Sequence, residues 1–320
     1  MKKVSLIATA FALSMICTVI SPVFAVVFTP APPTITEITG SLGGADYLLR
    51  IPSNFNGRLI VECRGYSHLL SSVNLTSYAN TFNPIIKLGY AYAASYYGAG
   101  GYCVKEGIIR THQLTEWVIN NYQVTGKVYL VGISMGGNIA LELGAKYPEL
   151  YAGVLELAGT KDLITRYYLH SYYASITDDN ALIAAVEANG GLNPPAPLTS
   201  IAQFRNYCTN AANDVMALCG GTPEEKPQAY ERFSPTYSAT NMAVPTMTVH
   251  GTADALVPYN QSVIFLNTVV AAGYSDLYRF YKVVGGQHCN TPVMSQILVR
   301  FPQLVNWVEN GVLPPASDTP

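Results

Sequence analysis

A serine flanked by glycines is the first feature of this chain that could do chemistry. Residues 132–137 read Gly-Ile-Ser-Met-Gly-Gly, directly after the apolar run 128–131 and before a helical pattern at about 138–145. A serine on a sharp strand-to-helix turn has a strained backbone, and small neighbours let the adjoining elements pass close to it. The turn exposes the hydroxyl and aims unpaired helix N–H groups at a developing oxyanion. This context predicts that Ser134 is a nucleophile.

The chain that must position this serine alternates short apolar runs with amphipathic ones. We predict strands at 46–52, 58–63, 90–95, 128–131, 153–157, 244–249 and 278–284, and helices at about 82–88, 104–121, 138–145 and 293–308. Strands separated by helices at this spacing imply a mostly parallel sheet with helices on both faces. The predicted fold class is therefore α/β.

One long segment interrupts this alternation. Residues 161–241 carry helix-like pieces and Pro and Gly breaks without a clear strand, which predicts a helical cap over the carboxyl edge of the sheet. The core then comprises 26–160 and 242–312, and residues 313–320 form a loose tail. Tyrosines and phenylalanines in the cap would line a substrate pocket or pack its own small core.

The amino-terminal segment has the pattern of a secretory signal. Two lysines precede an apolar run over 4–20, and the short side chains of Val23 and Ala25 occupy the positions that signal peptidase reads. We expect residues 1–25 to be removed and the protein to be secreted or periplasmic. An uncleaved membrane anchor is the alternative, because the run is nearly long enough to span a bilayer. No later segment is that long and apolar, so no stable membrane insertion is expected after cleavage.

Removal of the signal takes Cys17 with it and leaves five cysteines. Export would permit disulfides, and Cys208 and Cys219 are the best candidate pair because they are close in sequence within the predicted cap. An odd number leaves at least one free thiol.

Composition narrows the possible partners. The formal net charge is −2 and no run of lysine and arginine stands out, which argues against nucleic acid. The histidines are not spaced with other ligands as a zinc site requires, so we expect neither metal nor cofactor.

The serine turn and two later loops together resemble the α/β-hydrolase family. Residues 249–258, Val-His-Gly-Thr-Ala-Asp-Ala-Leu-Val-Pro, match the family's acid loop, and residues 285–290, Gly-Gly-Gln-His-Cys-Asn, follow the last strand. The resemblance implies that Asp254 is the acid and His288 the base, in the order Ser, Asp, His that this fold uses. The imidazole would take the serine proton, and Asp254 would fix its tautomer.

Each assignment has an alternative. Asp254 could only tighten a turn, His288 could be a surface loop residue, and Asp162 is a rival acid after the strand at 153–157. The other histidines, His68, His112, His170 and His250, are interpreted as packed or loop residues.

The resemblance also implies an oxyanion hole with two N–H donors. One is expected from Met135, the residue after the nucleophile. The other is expected from the loop after an early strand, where many family members carry His-Gly and this chain has Cys-Arg-Gly-Tyr at 63–66. Because the contact uses a backbone N–H, the loop can still serve; we assign Tyr66, with Gly65 as the alternative.

The resulting prediction is a secreted serine hydrolase that cleaves a carboxylic ester through an acyl-enzyme. Two alternatives stay open. A peptidase or acyltransferase would use the same triad, and a hydrolase-fold binding protein could contain the same three residues without turning over a substrate. The expected substrate is a small molecule or a short peptide-like compound. Activity should rise with pH in a single step set by His288, near about 6.5 unless the pKa is shifted.

Overall fold

An eight-stranded sheet organises the part of the chain that the computed structural model describes, residues 31–70, 74–191 and 200–319. The predicted leader, residues 1–25, lies outside the described residues. The strands are β1 Ile35–Leu42, β2 Ala45–Pro52, β3 Leu59–Cys63, β4 Ala91–Ser95, β5 Val128–Ile133, β6 Gly153–Leu157, β7 Thr246–Gly251 and β8 Tyr278–Val283. Their order in the sheet is β1-β2-β4-β3-β5-β6-β7-β8.

Most of this sheet is parallel. The β1–β2 and β2–β4 pairs are antiparallel, and every pairing from β4 across to β8 is parallel. Strands β3 to β7 are buried along their whole length, as is usual for parallel strands covered on both faces. The predicted α/β class is confirmed.

Helices cover both faces. They are α1 Leu75–Thr81, α2 Asn83–Ile86, α3 Val104–Asn121, α4 Met135–Lys146, α5 Leu163–Ser175, α6 Asp179–Glu187, α7 Ile201–Cys219, α8 Pro227–Arg232, α9 Pro235–Ser238, α10 Asn260–Ala271, α11 Thr291–Met294 and α12 Gln296–Asn310, with 3-10 turns at Ala239–Asn241 and Ser275–Leu277. Alternate residues of a strand point to opposite faces, so Val61 belongs to an apolar cluster with residues of α3, α4 and α10, while Ile60 belongs to a second cluster with residues of α1, α2 and α12.

Helices α5 to α9 occupy the segment between β6 and β7, where the sequence predicts a cap. Helices α5 and α7 pack on each other, with the rings of Tyr173 and Phe204 centred 5.7 Å apart. These side chains form a separate apolar cluster that reaches Leu256 after β7. Part of the cap's aromatic content therefore serves its own packing. No helix among the described residues is both long and apolar enough to cross a membrane.

Two expectations from sequence are corrected. Cys208 and Cys219 are both free thiols, because they lie on one continuous helix, α7. Eleven residues of helix rise about 16 Å, whereas a disulfide needs Cα atoms within about 7 Å. The predicted loose tail is also wrong for residues 315–319: the N–H of Asp318 donates to the carbonyl of Phe280 and the N–H of Lys282 to the Asp318 carboxylate, both at 2.8 Å.

Candidate active site

The turn between β5 and α4 holds Ser134 in a strained conformation. Its φ is +57°, in the left-handed region that non-glycine residues rarely adopt. A Cβ added to Gly136 would lie 1.8 Å from the carbonyl oxygen of Cys63, and one added to Gly132 would lie 2.3 Å from the carbonyl oxygen of Gly136. Both glycines are required because backbones cross within contact distance here. The serine hydroxyl is thereby held out of the sheet at its carboxyl edge.

The three residues expected to act together are hydrogen-bonded in series. The Ser134 Oγ lies 2.9 Å from His288 Nε2, and His288 Nδ1 lies 2.7 Å from Asp254 Oδ2. Ser134 and His288 are each 7% exposed and Asp254 is 2% exposed. Since both Asp254 oxygens are acceptors, Nδ1 carries the proton and Nε2 of the neutral ring faces the hydroxyl with its lone pair. This arrangement can withdraw the serine proton.

The Asp254 carboxylate is held from several directions. Its Oδ1 accepts the N–H groups of Leu256 and Val257 at 3.0 and 2.8 Å, and its Oδ2 lies 3.2 Å from His250 Nε2. Burial alone would raise the pKa of this carboxyl, but the charge of His288 and the imidazole hydrogen bonds outweigh burial and lower it. Asp254 therefore stays ionised when buried.

The same pair shifts the base in the opposite direction. Burial alone would lower the pKa of His288, but the adjacent Asp254 charge raises it well above its ordinary value. The imidazolium that forms during proton transfer is thus stabilised by a fixed negative charge.

His250, which the sequence suggests is only a packed residue, directly supports the acid. Its Nδ1 lies 2.6 Å from the Ser262 hydroxyl, and its Nε2 lies 2.9 Å from the Val257 carbonyl oxygen as well as near Asp254. Because the Val257 carbonyl oxygen and Asp254 Oδ2 are both acceptors, Nε2 must carry a proton. His250 therefore donates toward Asp254 while Ser262 donates to its other nitrogen. The sequence feature that could have revealed this role is the position of His250 four residues before Asp254.

The loop after β3 runs beside the serine, as an oxyanion hole requires. A Cβ on Gly65 would sit 3.4 Å from the Ser134 Cβ. The Tyr66 hydroxyl donates to Asp214 of α7 at 2.7 Å, so only the backbone N–H of Tyr66 remains for an oxyanion. Met135 opens α4, and the first N–H groups of a helix have no intrahelical acceptor. Met135 and Tyr66, or Gly65, stay the predicted donors.

Arg64, which has no special signal in the sequence, shapes that loop. It is buried, and its guanidinium donates to the carbonyls of Gly65, Tyr96 and Ala99 at 3.1, 2.8 and 2.8 Å. Its backbone N–H donates to the Tyr97 hydroxyl at 2.7 Å. Arg64 therefore joins the loop after β3 to the loop after β4.

A buried ion pair lies behind the serine turn. Lys161 Nζ and Glu156 Oε1 are 2.8 Å apart with both side chains inaccessible, and Glu156 Oε2 accepts the Gly159 N–H at 2.9 Å. The Thr160 N–H in the same loop donates to the Ser134 carbonyl at 3.2 Å. The pair thus fixes the loop after β6 against the turn.

The alternative residues lie elsewhere. Asp162 caps α5, accepting the N–H groups of Ile164 and Thr165, and it is Asp254 that accepts the hydrogen bond from His288 Nδ1. His112 stacks on Tyr147, with ring centres 3.8 Å apart. Among the described residues, no cluster of three or more His, Cys, Asp or Glu side chains could hold a metal ion. His68 pairs with Asp214 and His170 is buried in the cap.

This fold and this site are those of an α/β-hydrolase. The sequence profile of the BD-FAE family, an esterase-like α/β-hydrolase domain, matches residues 58–269, a range that includes Ser134 and Asp254. The chain therefore belongs to the BD-FAE family. No curated protein sequence matches it.

Solved structures share the fold at low identity. An acylaminoacyl peptidase from Pyrococcus horikoshii is 13% identical with a TM-score of 0.54 over 86% of this chain, which spans only 41% of the peptidase. An esterase from Pyrococcus furiosus is 12% identical with a TM-score of 0.55, covering 86% of this chain and 92% of its own. A bromoperoxidase from Bacillus anthracis is 19% identical with a TM-score of 0.51, covering 85% and 100%.

Proposed function

We propose that this hydrolase-family protein is a serine hydrolase that cleaves carboxylic esters through an acyl-enzyme on Ser134. The observation that carries the proposal is the continuous hydrogen-bonded series from the Ser134 hydroxyl through His288 to Asp254. A strained serine whose hydroxyl contacts a neutral imidazole Nε2 suits nucleophilic attack on an acyl carbon.

The steps follow from this geometry. Ser134 Oγ attacks the ester carbonyl carbon while its proton passes to His288 Nε2, and the carbonyl oxygen becomes an oxyanion held by backbone N–H groups. The intermediate collapses, breaking the bond to the alcohol oxygen, which takes the proton from Nε2. Water then attacks the acyl-enzyme, giving its proton to Nε2, and the carboxylic acid leaves as the Ser134 hydroxyl is restored.

The triad alone does not distinguish an ester substrate from an amide, so our choice of an ester rests on the comparisons with known proteins. The matching family is esterase-like, and the esterase neighbour is spanned nearly in full, whereas the peptidase neighbour is more than twice as long as this chain. A peptidase remains the second candidate, because the acylaminoacyl peptidase shares this fold at a comparable TM-score.

We also propose export. The pattern of residues 1–25 supports a cleaved signal, with Val26 as the new amino terminus. Amino-terminal sequencing of protein recovered outside the cytoplasm tests this; recovery of an intact leader in the membrane fraction would contradict it.

Kinetics on paired substrates test the reaction. We expect turnover of short 4-nitrophenyl esters to exceed that of aminoacyl 4-nitroanilides, and Ser134→Ala to reduce ester turnover by at least about 1,000-fold. Ser295→Ala, which alters a serine whose hydroxyl donates to the Pro292 carbonyl of its own turn, is the matched control and should retain activity. Preferred anilide cleavage would favour the peptidase, and unchanged ester turnover in Ser134→Ala would refute the proposal.

A further inference from the structure

Arg166 of helix α5 is a buried cation at the edge of the proposed catalytic site. It is 1% exposed. Its Nη1 donates to the carbonyl of Leu256 at 2.9 Å, two residues beyond Asp254, and its Nη2 donates to the Tyr207 hydroxyl of α7 at 3.0 Å. The guanidinium therefore joins two cap helices to the loop that carries the proposed acid.

Three tyrosine rings lie near this cation. Its central carbon lies 6.0, 5.7 and 5.9 Å from the ring centres of Tyr66, Tyr102 and Tyr207. Tyr66 follows Gly65, the residue whose Cα faces the Ser134 side chain. The guanidinium thus lies between the cap, the acid loop and the loop that passes beside the nucleophile.

Arg166 has no carboxylate partner among the described residues. Within the described ranges, Arg50, Arg58 and Arg205 each form an ion pair with a carboxylate, and Arg166 forms none. Its Nε is buried without an acceptor. A guanidinium stays charged in proteins, and a buried charge is costly unless it is paired. Aromatic faces offset only part of that cost.

We propose that Arg166 binds a carboxylate of the substrate, which pairs with the guanidinium while tyrosine rings contact the adjoining apolar part. The inference rests on the proposed function, because it assigns a substrate class to that same site. Arginine matches a carboxylate with parallel N–H donors. An aromatic carboxylate fits the surrounding rings best.

A binding measurement that needs no turnover tests this first. In Ser134→Ala protein, calorimetric titration with 4-hydroxybenzoate should give at least about tenfold tighter binding than with the neutral 4-hydroxybenzamide, as expected for a charge-assisted hydrogen bond. Arg166→Gln in the same background should remove the difference. The matched control is Arg205→Gln, a cap arginine bonded to Asp179, which should retain it. Equal binding of the two ligands, or no carboxylate binding at millimolar concentration, would overturn the proposal even if Arg166→Gln fails to fold.

A kinetic pair separates this inference from the proposed reaction. The ratio of kcat/KM for 4-acetoxybenzoate to kcat/KM for its methyl ester should be about 10- to 100-fold lower in Arg166→Gln than in wild type. Loss of the bond to the Leu256 carbonyl lowers the turnover of both esters, so the ratio and not either rate alone reports on the carboxylate. An equal loss for both esters would mean that Arg166 is only structural. If wild type hydrolyses neither ester at Ser134, the proposed function fails, while the titration still decides whether the carboxylate binds.

Discussion

In the proposed mechanism, the reactivity of the Ser134 hydroxyl depends on the charge of one imidazole. His288 Nε2 can accept the serine proton only when the ring is neutral, and the neighbouring Asp254 charge raises the pKa of His288 well above its ordinary value. Protonated ring therefore persists to higher pH than in a free histidine. The Asp254 charge stabilises the imidazolium in the transition state. The same charge lowers activity in mildly acidic solution, because there it keeps the ring protonated before the reaction begins.

We accordingly expect kcat/KM to rise with pH in a single step whose midpoint lies above about 6.5, the reference value of histidine. A pH–rate profile measures the midpoint, with a neutral 4-nitrophenyl ester as substrate because that ester has no ionisable group. A flat profile between about pH 5 and 8, or a midpoint below the reference value, would contradict the role of His288.

His250 is the second residue-scale prediction. Replacing its ring with phenylalanine removes the donor near Asp254 Oδ2, and we expect kcat to fall about tenfold, the magnitude of one hydrogen bond to a charged group, with KM little changed. His250→Gln, which can still place an N–H near the carboxylate, should recover part of the loss. His112→Phe, at a histidine stacked on Tyr147, is the control. Equal kcat in His250→Phe and wild type would rule out a positioning role.

At the scale of elements, the position of Ser134, the proposed nucleophile, depends on close passage of α4 beside β3. We expect Gly136→Ala to lower the free energy of unfolding by about 3 kcal/mol, because the new Cβ would meet the Cys63 backbone, which cannot move aside cheaply. Gly107→Ala is the matched control: its Cβ would meet the end of the Ile139 side chain, which can rotate. Denaturant unfolding measures the stability of both variants. Similar free energies of unfolding would contradict the claim that close passage of α4 beside β3 requires glycine at position 136.

The elements also show what sequence could and could not predict. The apolar runs that became β3 to β8 and the pattern that became α3 were visible because burial repeats with a regular period. Strand β1 was missed because it is a half-exposed edge strand, whose polar residues hide the alternation. The pairing of Cys208 with Cys219 was wrong because proximity in sequence was taken for proximity in space, and a helix separates them.

The residues of the candidate site also fall into those that the sequence predicts and those that it does not. Ser134, Asp254 and His288, which the structure joins by hydrogen bonds, were predicted to act together because each follows a strand in a recognisable loop. Arg64 and Arg166 carried no such signal, since their contacts join segments that are distant in the chain. The supporting contacts of a site depend on tertiary packing, which local patterns do not encode.

At the scale of the whole molecule, the carboxyl-terminal segment covers the outer edge of the sheet. The N–H groups of Phe280 and Lys282 in β8 donate to Ser317 and Asp318, and the Tyr281 hydroxyl donates to the Pro315 carbonyl. An uncovered edge strand offers unpaired backbone groups to other chains.

Truncation after Val312 should therefore lower Tm by several degrees and increase aggregation on heating, since it removes several hydrogen bonds worth about 1 kcal/mol each. Differential scanning fluorimetry and light scattering measure both effects. As a control, Thr319→Ala in the full-length chain leaves the backbone carbonyl that bonds to Lys282 and should match wild type. An unchanged Tm after truncation would show that the segment contributes little.

Covalent labelling tests the central claim, that this fold joins Ser134, His288 and Asp254 into one nucleophilic unit. A fluorophosphonate probe followed by peptide mass spectrometry should modify Ser134, and labelling should be lost in Ser134→Ala and much slower in His288→Ala, whose remaining hydroxyl has no base. Modification of a different serine, or no modification of correctly folded wild-type protein, would contradict the account.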